Sequence, residues 1–458
     1  MKFRQSLALA LVVTAIVLIW NAYESPNLFK TGNESKSFNE NSTPIDAREY
    51  GVTSLDNFSQ SFVSTVSNMR LSSILQASVP KNYCFQAYSK KRDAFGLDPI
   101  IGLNSDNPLI PASANKLITA AVVLSTFEKS KTLDTELLAE SKGPSLKKAY
   151  IKTSGDPSFV SVTTLPPRRP SYLSPKNTRT FAEFAKSIAA SGVKNIDELI
   201  VENSWFGLPQ VERGWEKDKL QVGQISALNI DEGFDGVTLS PDPDIFATSI
   251  LSRELEAQGV SVGKITSGQL PAENFSSENS IAKTSSPTIE KLVADMLKTS
   301  DNVYAEQLLA AAAKTEYDIV DLKTRSTFVK DSLEELGAKL DNFVFENGSG
   351  YSRDSRLSCA LTNQIIQIMN EKGIDLTSLS SIAGVDGTLE TRFAEYKSTL
   401  KAKTGTLDNV TALSGSLEDR FIFTFFANSA FDLETGFRLQ ETVVTNLDSY
   451  PFVKRPQL

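Results

Sequence analysis

The sequence predicts an α/β (α+β) fold in which an antiparallel sheet is flanked by helices and an inserted domain interrupts the chain. Three observations predict it. A helix signal over 113–127 carries Leu117, Ile118, Ala120, Ala121, Val122, Val123 and Leu124 with almost no polar face, which suits a position buried between layers. Near the C-terminus, Val410–Leu417 and 420–427 read as strands joined by Glu418-Asp419, and an amphipathic run over 433–447 follows to cover them. Between these, from about Asp156 to Glu278, Pro-rich loops break the pattern as an insertion would.

Taken in order, residues 1–23 read as an export segment, with Lys2 and Arg4 ahead of a mostly apolar run over 7–20. That run is shorter than the ~20 residues of a full membrane span. Trp20-Asn21-Ala22 is a poor cleavage site, so a removed signal peptide and an uncleaved signal anchor both stand. Either places the rest of the chain in the periplasm or another extracytoplasmic space, with residues 7–20 as the membrane anchor in the second case. Residues 24–48, rich in Asn, Ser and Glu, read as a flexible linker.

Residues 49–155 form the first part of the main domain: a helix over 55–77, strands over 83–89 and 99–103, then Pro111 and the apolar helix. Residues 156–278 form the inserted accessory domain, with helices near 180–190 and 244–258 and a strand over 198–202. Residues 279–458 return to the main domain, with a helix over 287–297, a break at Ser300, a helix over 304–314 and a strand over 399–406.

With 458 residues, 40% hydrophobic and 22% charged, the chain suffices for two or three domains. A net charge of −8 without a Lys/Arg-rich stripe argues against nucleic acid as a partner. There is no histidine, and Cys84 and Cys359 are the only cysteines, so no zinc-type ligand spacing exists and neither metal nor cofactor is expected. A Cys84–Cys359 bridge and two buried free thiols both remain open.

The chemistry lies in three ordered motifs: Ser113-Ala114-Asn115-Lys116, Ser300-Asp301-Asn302 and Lys403-Thr404-Gly405-Thr406. A serine nucleophile in a chain without histidine needs another base, and a lysine one helical turn away supplies it. Singly the motifs are weak. Ser-x-x-Lys recurs at 78–81, 145–148, 191–194, 280–283 and 398–401, Ser-Asp-Asn at 105–107, and Lys-Thr-Gly at 30–32. Context selects. Ser113 opens a buried helix whose N-terminus favours developing negative charge. Ser300 falls at a helix break, where short polar residues also serve as plain caps. Lys403 leads into a sheet edge where Gly405 would let a substrate backbone approach closely.

Residues 111–120, Pro-Ala-Ser-Ala-Asn-Lys-Leu-Ile-Thr-Ala, resemble the active-site helix of class C low-molecular-mass penicillin-binding proteins, the D-alanyl-D-alanine carboxypeptidases and endopeptidases that trim peptidoglycan. Segments 296–302, 347–353, 383–389 and 402–407 are similar to the same family, as are Gly155-Asp156-Pro157 and Gly214-Trp215. The resemblance runs from about Gly51 to the C-terminus and implies a penicillin-binding, transpeptidase-like domain carrying an insert. It implies Ser113 as nucleophile, Lys116 as its base and Ser300 as proton relay. Asn302, Lys403, Thr404, Gly405 and Thr406 would bind substrate, and the N–H groups of Ser113 and Thr406 would form the oxyanion hole. Lys403 is expected to add positive charge that keeps Lys116 deprotonated. Peptidoglycan stem peptides and β-lactams are the implied partners, with oligomeric state open. Segments 347–353 and 386–388 read as turns without catalytic residues, Arg353 being a candidate organiser of the site. Two rivals accompany this reading: a β-lactamase or esterase of the same fold, and a non-catalytic cell-wall binding protein. The second has no need of all five of Ser113, Lys116, Ser300, Asn302 and Lys403.

Overall fold

The computed structural model describes residues 71–73, 75, 82–90, 100–161, 174–218, 222–271, 275, 277–429 and 431–450. The export segment and linker lie outside these. Of the helix expected over 55–77, residues 71–73 and 75 are described and are helical. Among the described residues no helix is long and apolar enough to cross a membrane.

The strands are β1 (Tyr83–Ser89), β2 (Ile101–Leu103), β3 (Thr132–Ala139), β4 (Ser145–Lys152), β5 (Asn195–Glu202), β6 (Phe234–Asp235) and β7 (Thr238–Leu239). After these come β8 (Ser261–Gly268), β9 (Ser280–Thr288), β10 (Ser381–Ile382), β11 (Leu400–Leu407), β12 (Val410–Leu417) and β13 (Phe421–Asn428). The helices are α1 (Lys116–Thr126), α2 (Ala182–Ala190), α3 (Pro243–Ala257), α4 (Ile289–Thr299), α5 (Asn302–Ala313), α6 (Leu322–Glu335), α7 (Cys359–Glu371) and α8 (Leu433–Asp448).

One sheet is antiparallel throughout, in the order β10-β11-β12-β13-β1-β2. Alternation along its strands feeds two cores. Tyr83, Phe85, Leu413, Leu417, Phe423 and Phe425 pack with Leu439, Val443 and Val444 of α8 on one face. Cys84, Ala412, Ile422 and Phe426 join the helical core of α1, α4, α5, α6 and α7 on the other. This covering of both faces leaves every residue of β12 buried, though an antiparallel sheet often keeps one face in water. Helix α1 is buried from Lys116 to Leu124 and packs against α4, α5, α6 and α7. A disulfide between Cys84 and Cys359 ties β1 to the first residue of α7, deciding the question the sequence left open.

The second sheet runs β8-β5-β4-β3-β9, parallel from β8 to β4 and antiparallel onward. Helices α2 and α3 cover one face. This sheet does not keep to 156–278, because β3, β4 and β9 lie on either side of that segment. Sequence periodicity leaves β3, β4, β8, β9, α6 and α7 unassigned. The strand Ser145–Lys152 shows the reason: it carries three lysines, and only part of it is buried. Topologically, the sheet joins the end of α1 to the start of α4, so β9 passes directly into the helix that delivers Ser300.

Candidate active site

The turn before α1 sets the first motif. Pro111 is followed by Ala112 at φ 47°, a left-handed conformation unusual for alanine, and then by a 3₁₀ turn over Ala112–Asn115. The α-helix begins at Lys116, so Ser113 sits in that turn and not inside the helix expected over 113–127. The turn still brings Lys116 Nζ within 3.0 Å of Ser113 Oγ. Lys116 is fully buried, and its Nζ also donates to Asn302 Oδ1 at 2.7 Å and to the Ser349 carbonyl at 2.8 Å. Those two acceptors occupy two N–H bonds. The third contact is a hydroxyl, which can equally donate into an amine lone pair. A neutral lysine therefore fits the same cage, as a base for Ser113 requires.

The second motif uses both readings of a helix break. Asp301 is the plain cap, its carboxylate accepting from the Tyr304 N–H at 3.0 Å. Ser300, left-handed at φ 60° and ψ 33°, and Asn302 face the site instead. Lys403 Nζ donates to Ser300 Oγ at 2.9 Å and to the Thr404 carbonyl at 2.7 Å. The structure thus brings Ser113, Lys116, Ser300, Asn302 and Lys403 into one cluster. Lys403 is fully buried, and burial, then the charge of Lys116, push its ammonium well below the usual lysine range. The sequence reading assigned the positive charge to Lys403; here two buried amines repel, and Lys403 itself is driven toward the neutral form.

On β11, Gly405 is a spacing requirement. A Cβ there would lie 2.7 Å from the Pro111 carbonyl oxygen and 3.0 Å from the Ala114 nitrogen. Only glycine lets the strand press against the Ser113 turn. Thr404 donates its hydroxyl to Thr388 Oγ1 at 2.8 Å, leaving its oxygen free to accept from elsewhere. Thr406 is exposed and lines a cleft of about 1240 Å³ together with Arg213, Asp218, Tyr351 and Arg353. Arg353 donates to the Asp408 carbonyl at 2.8 Å at this cleft. Among the described residues no group of three or more Asp, Glu, Cys or His side chains is placed to hold a metal ion.

Two segments read from sequence as simple turns hold the site together. In 347–350, the carbonyls of Asn347, Gly348 and Ser349 accept from Asn115 Nδ2, Thr119 Oγ1 and Lys116 Nζ at 2.8, 2.7 and 2.8 Å. In 386–388, Asp386 binds Lys298 Nζ at 2.6 Å, and Ser381, just before that segment, donates its Oγ to the Lys298 carbonyl at 3.0 Å, fixing the residues that lead to Ser300. The available signal for the first was Thr119, which lies one turn beyond Asn115 on the same helix face.

Residues 92–242 and 235–447 match the family model described as D-Ala-D-Ala carboxypeptidase 3 (S13). Carboxypeptidase DacB of Mycolicibacterium smegmatis is 26% identical over 354 residues, 70% of this chain and 72% of that protein. The crystal structure of penicillin binding protein 4 (dacB) from Haemophilus influenzae has a TM-score of 0.65 at 20% identity, covering 81% of this chain and 98% of that one. The same protein complexed with a β-lactam has a TM-score of 0.64 at 19% identity, over 82% and 98%. At such identity the structural likeness establishes the fold alone.

Proposed function

We propose, for a chain that belongs to the D-Ala-D-Ala carboxypeptidase 3 (S13) family, a serine D-alanyl-D-alanine carboxypeptidase of peptidoglycan stem peptides whose acyl-enzyme forms on Ser113. The observation that carries the assignment is the 3.0 Å contact between Lys116 Nζ and Ser113 Oγ in a chain with no histidine. Ser113 Oγ attacks the carbonyl of the penultimate D-Ala while Lys116 takes the hydroxyl proton. The N–H groups of Ser113 and Thr406 receive the oxyanion, an arrangement supported by the close approach that Gly405 permits. Ser300 passes its proton to the nitrogen of the departing D-Ala and takes one in its place from the charged Lys403 that donates to it, while Lys116 keeps the Ser113 proton until the ester is hydrolysed. Water then hydrolyses the ester and restores Ser113.

The substrate carboxylate explains why two lysines share one pocket. Arriving beside Lys403, Thr404 and Thr406, it favours the charged form of Lys403. A charged Lys403 in turn favours a neutral Lys116, so substrate itself prepares the base. Asn302 holds Lys116 through Oδ1 and keeps its amide N–H₂ for the substrate backbone. The reaction belongs to the extracytoplasmic cell wall. We assign export to residues 1–23, as a removed signal peptide or as an anchor through residues 7–20.

A labelled penicillin tests the assignment, because β-lactams imitate the D-Ala-D-Ala end. The label should attach covalently to the wild type and not to Ser113→Ala. Labelling that persists in the mutant sinks the assignment. The lifetime of the adduct separates a peptidase, lasting minutes to hours, from a β-lactamase that turns it over rapidly.

A further inference from the structure

Glu306 lies on α5 four residues after Asn302, on the same helix face and fully buried. Asn302 holds Lys116 directly. Glu306 faces the segment that holds Lys116 from the other side. Its Oε2 accepts from the Gly348 N–H at 3.0 Å and its Oε1 from the Ser349 N–H at 2.7 Å. The Ser349 carbonyl is the one that Lys116 Nζ contacts at 2.8 Å. Gly348 packs closely here, since a Cβ would sit 3.2 Å from Glu306 Oε2 and 3.1 Å from the Ala305 carbonyl oxygen.

The carboxylate is held in turn. Arg325 Nη1 donates to Glu306 Oε2, and Arg325 Nη2 donates to Glu212 Oε2 at 2.8 Å. All three side chains are at most 1% exposed. A buried ion triad contributes little net stability compared with apolar packing, so its effect here is geometric. Two oxygens committed to consecutive N–H groups pin a peptide in a way no neutral side chain of that size repeats, because an amide offers only one acceptor.

We propose that Glu306 is a positioning residue for Lys116: by fixing 347–350 through two backbone N–H groups, it makes the Ser349 carbonyl hold the Lys116 amine against Ser113. The inference rests on the assignment of Ser113 and Lys116 as nucleophile and base. The two glutamates of the triad are not equivalent. Glu212 touches Arg325 and not the turn, and burial, opposed by Arg325 and reinforced by Glu306, raises its carboxyl to about 7.

The test separates covalent from pre-covalent steps. With the full chain, labelled penicillin over a range of concentrations yields the dissociation constant of the initial complex and the first-order acylation constant. Glu306→Gln should lower the acylation constant about 10- to 100-fold, as loss of near-attack geometry does. The initial dissociation constant should stay within about twofold. Glu306→Asp keeps its charge on Arg325 but is one methylene too short to reach both N–H groups, and should be comparably slow. Glu212→Gln should lose less than about threefold. Acylation by Glu306→Asp at the wild-type rate overturns the proposal, since charge balance alone would then suffice. Equal losses in Glu306→Gln and Glu212→Gln overturn it too. If Glu306→Gln melts below the assay temperature, the rate of Glu306→Asp decides alone. Failure of the underlying assignment looks different: the wild type then takes no label, or Ser113→Ala keeps it.

Discussion

Lys403 carries a conflict between stability and function that a single substitution exposes. The side chain is fully buried beside Lys116, and its ammonium is pushed well below the ordinary lysine range by burial first and by the Lys116 charge second. An unfolded chain keeps this lysine protonated up to about pH 10.4. The folded chain releases the proton at lower pH. Between the two values the unfolded state binds more protons, so stability rises with pH through that window, and below the folded value the cost is complete. Replacing a buried charge by an apolar side chain of similar length removes that cost. Lys403→Met should therefore be more stable than the wild type at pH 7 by about 1 kcal/mol or more, or a few °C in Tm. Acylation by penicillin should be lost. The gap in Tm should close as the buffer approaches pH 10, and thermal melts at pH 7 and pH 10 check both sign and trend. A wild type that melts above the variant at pH 7 would mean that the hydrogen bonds to Ser300 and Thr404 outweigh burial. The same conflict appears in the backbone. Ala112 and Ser300 hold positive φ values of 47° and 60° beside the nucleophile and at the relay. Each costs about 1–3 kcal/mol that the surrounding packing must hold in place.

The segment 347–350 works at the scale of an element, as a wedge between α1 and α5. Its Gly350 has φ +71°, and a Cβ there would lie 2.1 Å from the Ala112 carbonyl oxygen and 2.5 Å from Asn115 Cβ. Gly350→Ala must then push the wedge away from the turn that carries Ser113. Gly373 provides the contrast, at a similar φ of +76° but with nothing within 4 Å of its Cβ position. Gly373→Ala should cost about 1–2 kcal/mol from backbone conformation alone and leave acylation unchanged. Gly350→Ala should cost more than that and slow acylation at least about tenfold. Melts together with acylation rates distinguish them, and equal behaviour of the two variants contradicts the wedge. Such a contact is invisible in sequence, which shows Asn-Gly-Ser-Gly as ordinary turn chemistry. By contrast, α1 and β13 were legible because burial on both sides leaves mostly apolar runs, and β11 and β12, which carry polar residues such as Lys403, Thr411 and Ser414, were legible from the short turns that join them to β13. Of the second sheet only β5 was read, over 198–202, since β4 and β8 put lysine, serine and glycine where strand propensity looks for branched apolar residues. The site divides along the same line: Ser113, Lys116, Ser300 and Lys403 are chemical groups at recognisable spacings, whereas the Ser349 carbonyl is backbone and has no residue type to advertise it.

Across the whole molecule, the chain crosses an entire second sheet between Lys116 and Ser300, yet the two must stay within one cluster. What resists separation is the sandwich itself: the first sheet contributes β11, and the helices beneath it contribute α1 and α5. The Cys84–Cys359 disulfide joins those two layers directly, linking β1 to α7 across a sequence separation of 275 residues. Strand alternation explains why these two cysteines meet. Tyr83 and Phe85 face α8, so Cys84 between them faces the helical core where Cys359 is buried. A bridge that closes so long a loop removes much freedom from the unfolded chain while asking little of the folded one. The sequence could not decide the pairing because separation alone says nothing about which face a strand residue takes. The bond suits an oxidising compartment, in agreement with action in the cell wall. Cys84→Ala/Cys359→Ala should therefore lose about 2–5 kcal/mol against guanidinium chloride. Its acylation rate at 25 °C should stay near that of the wild type, because neither cysteine contacts the serine or the lysines. Reduction of the wild type should reproduce the same shift of the denaturation midpoint. A midpoint unmoved by either treatment would place the strength of the interlayer joint in apolar packing alone, and a collapse of acylation without loss of stability would tie the bridge to the site itself.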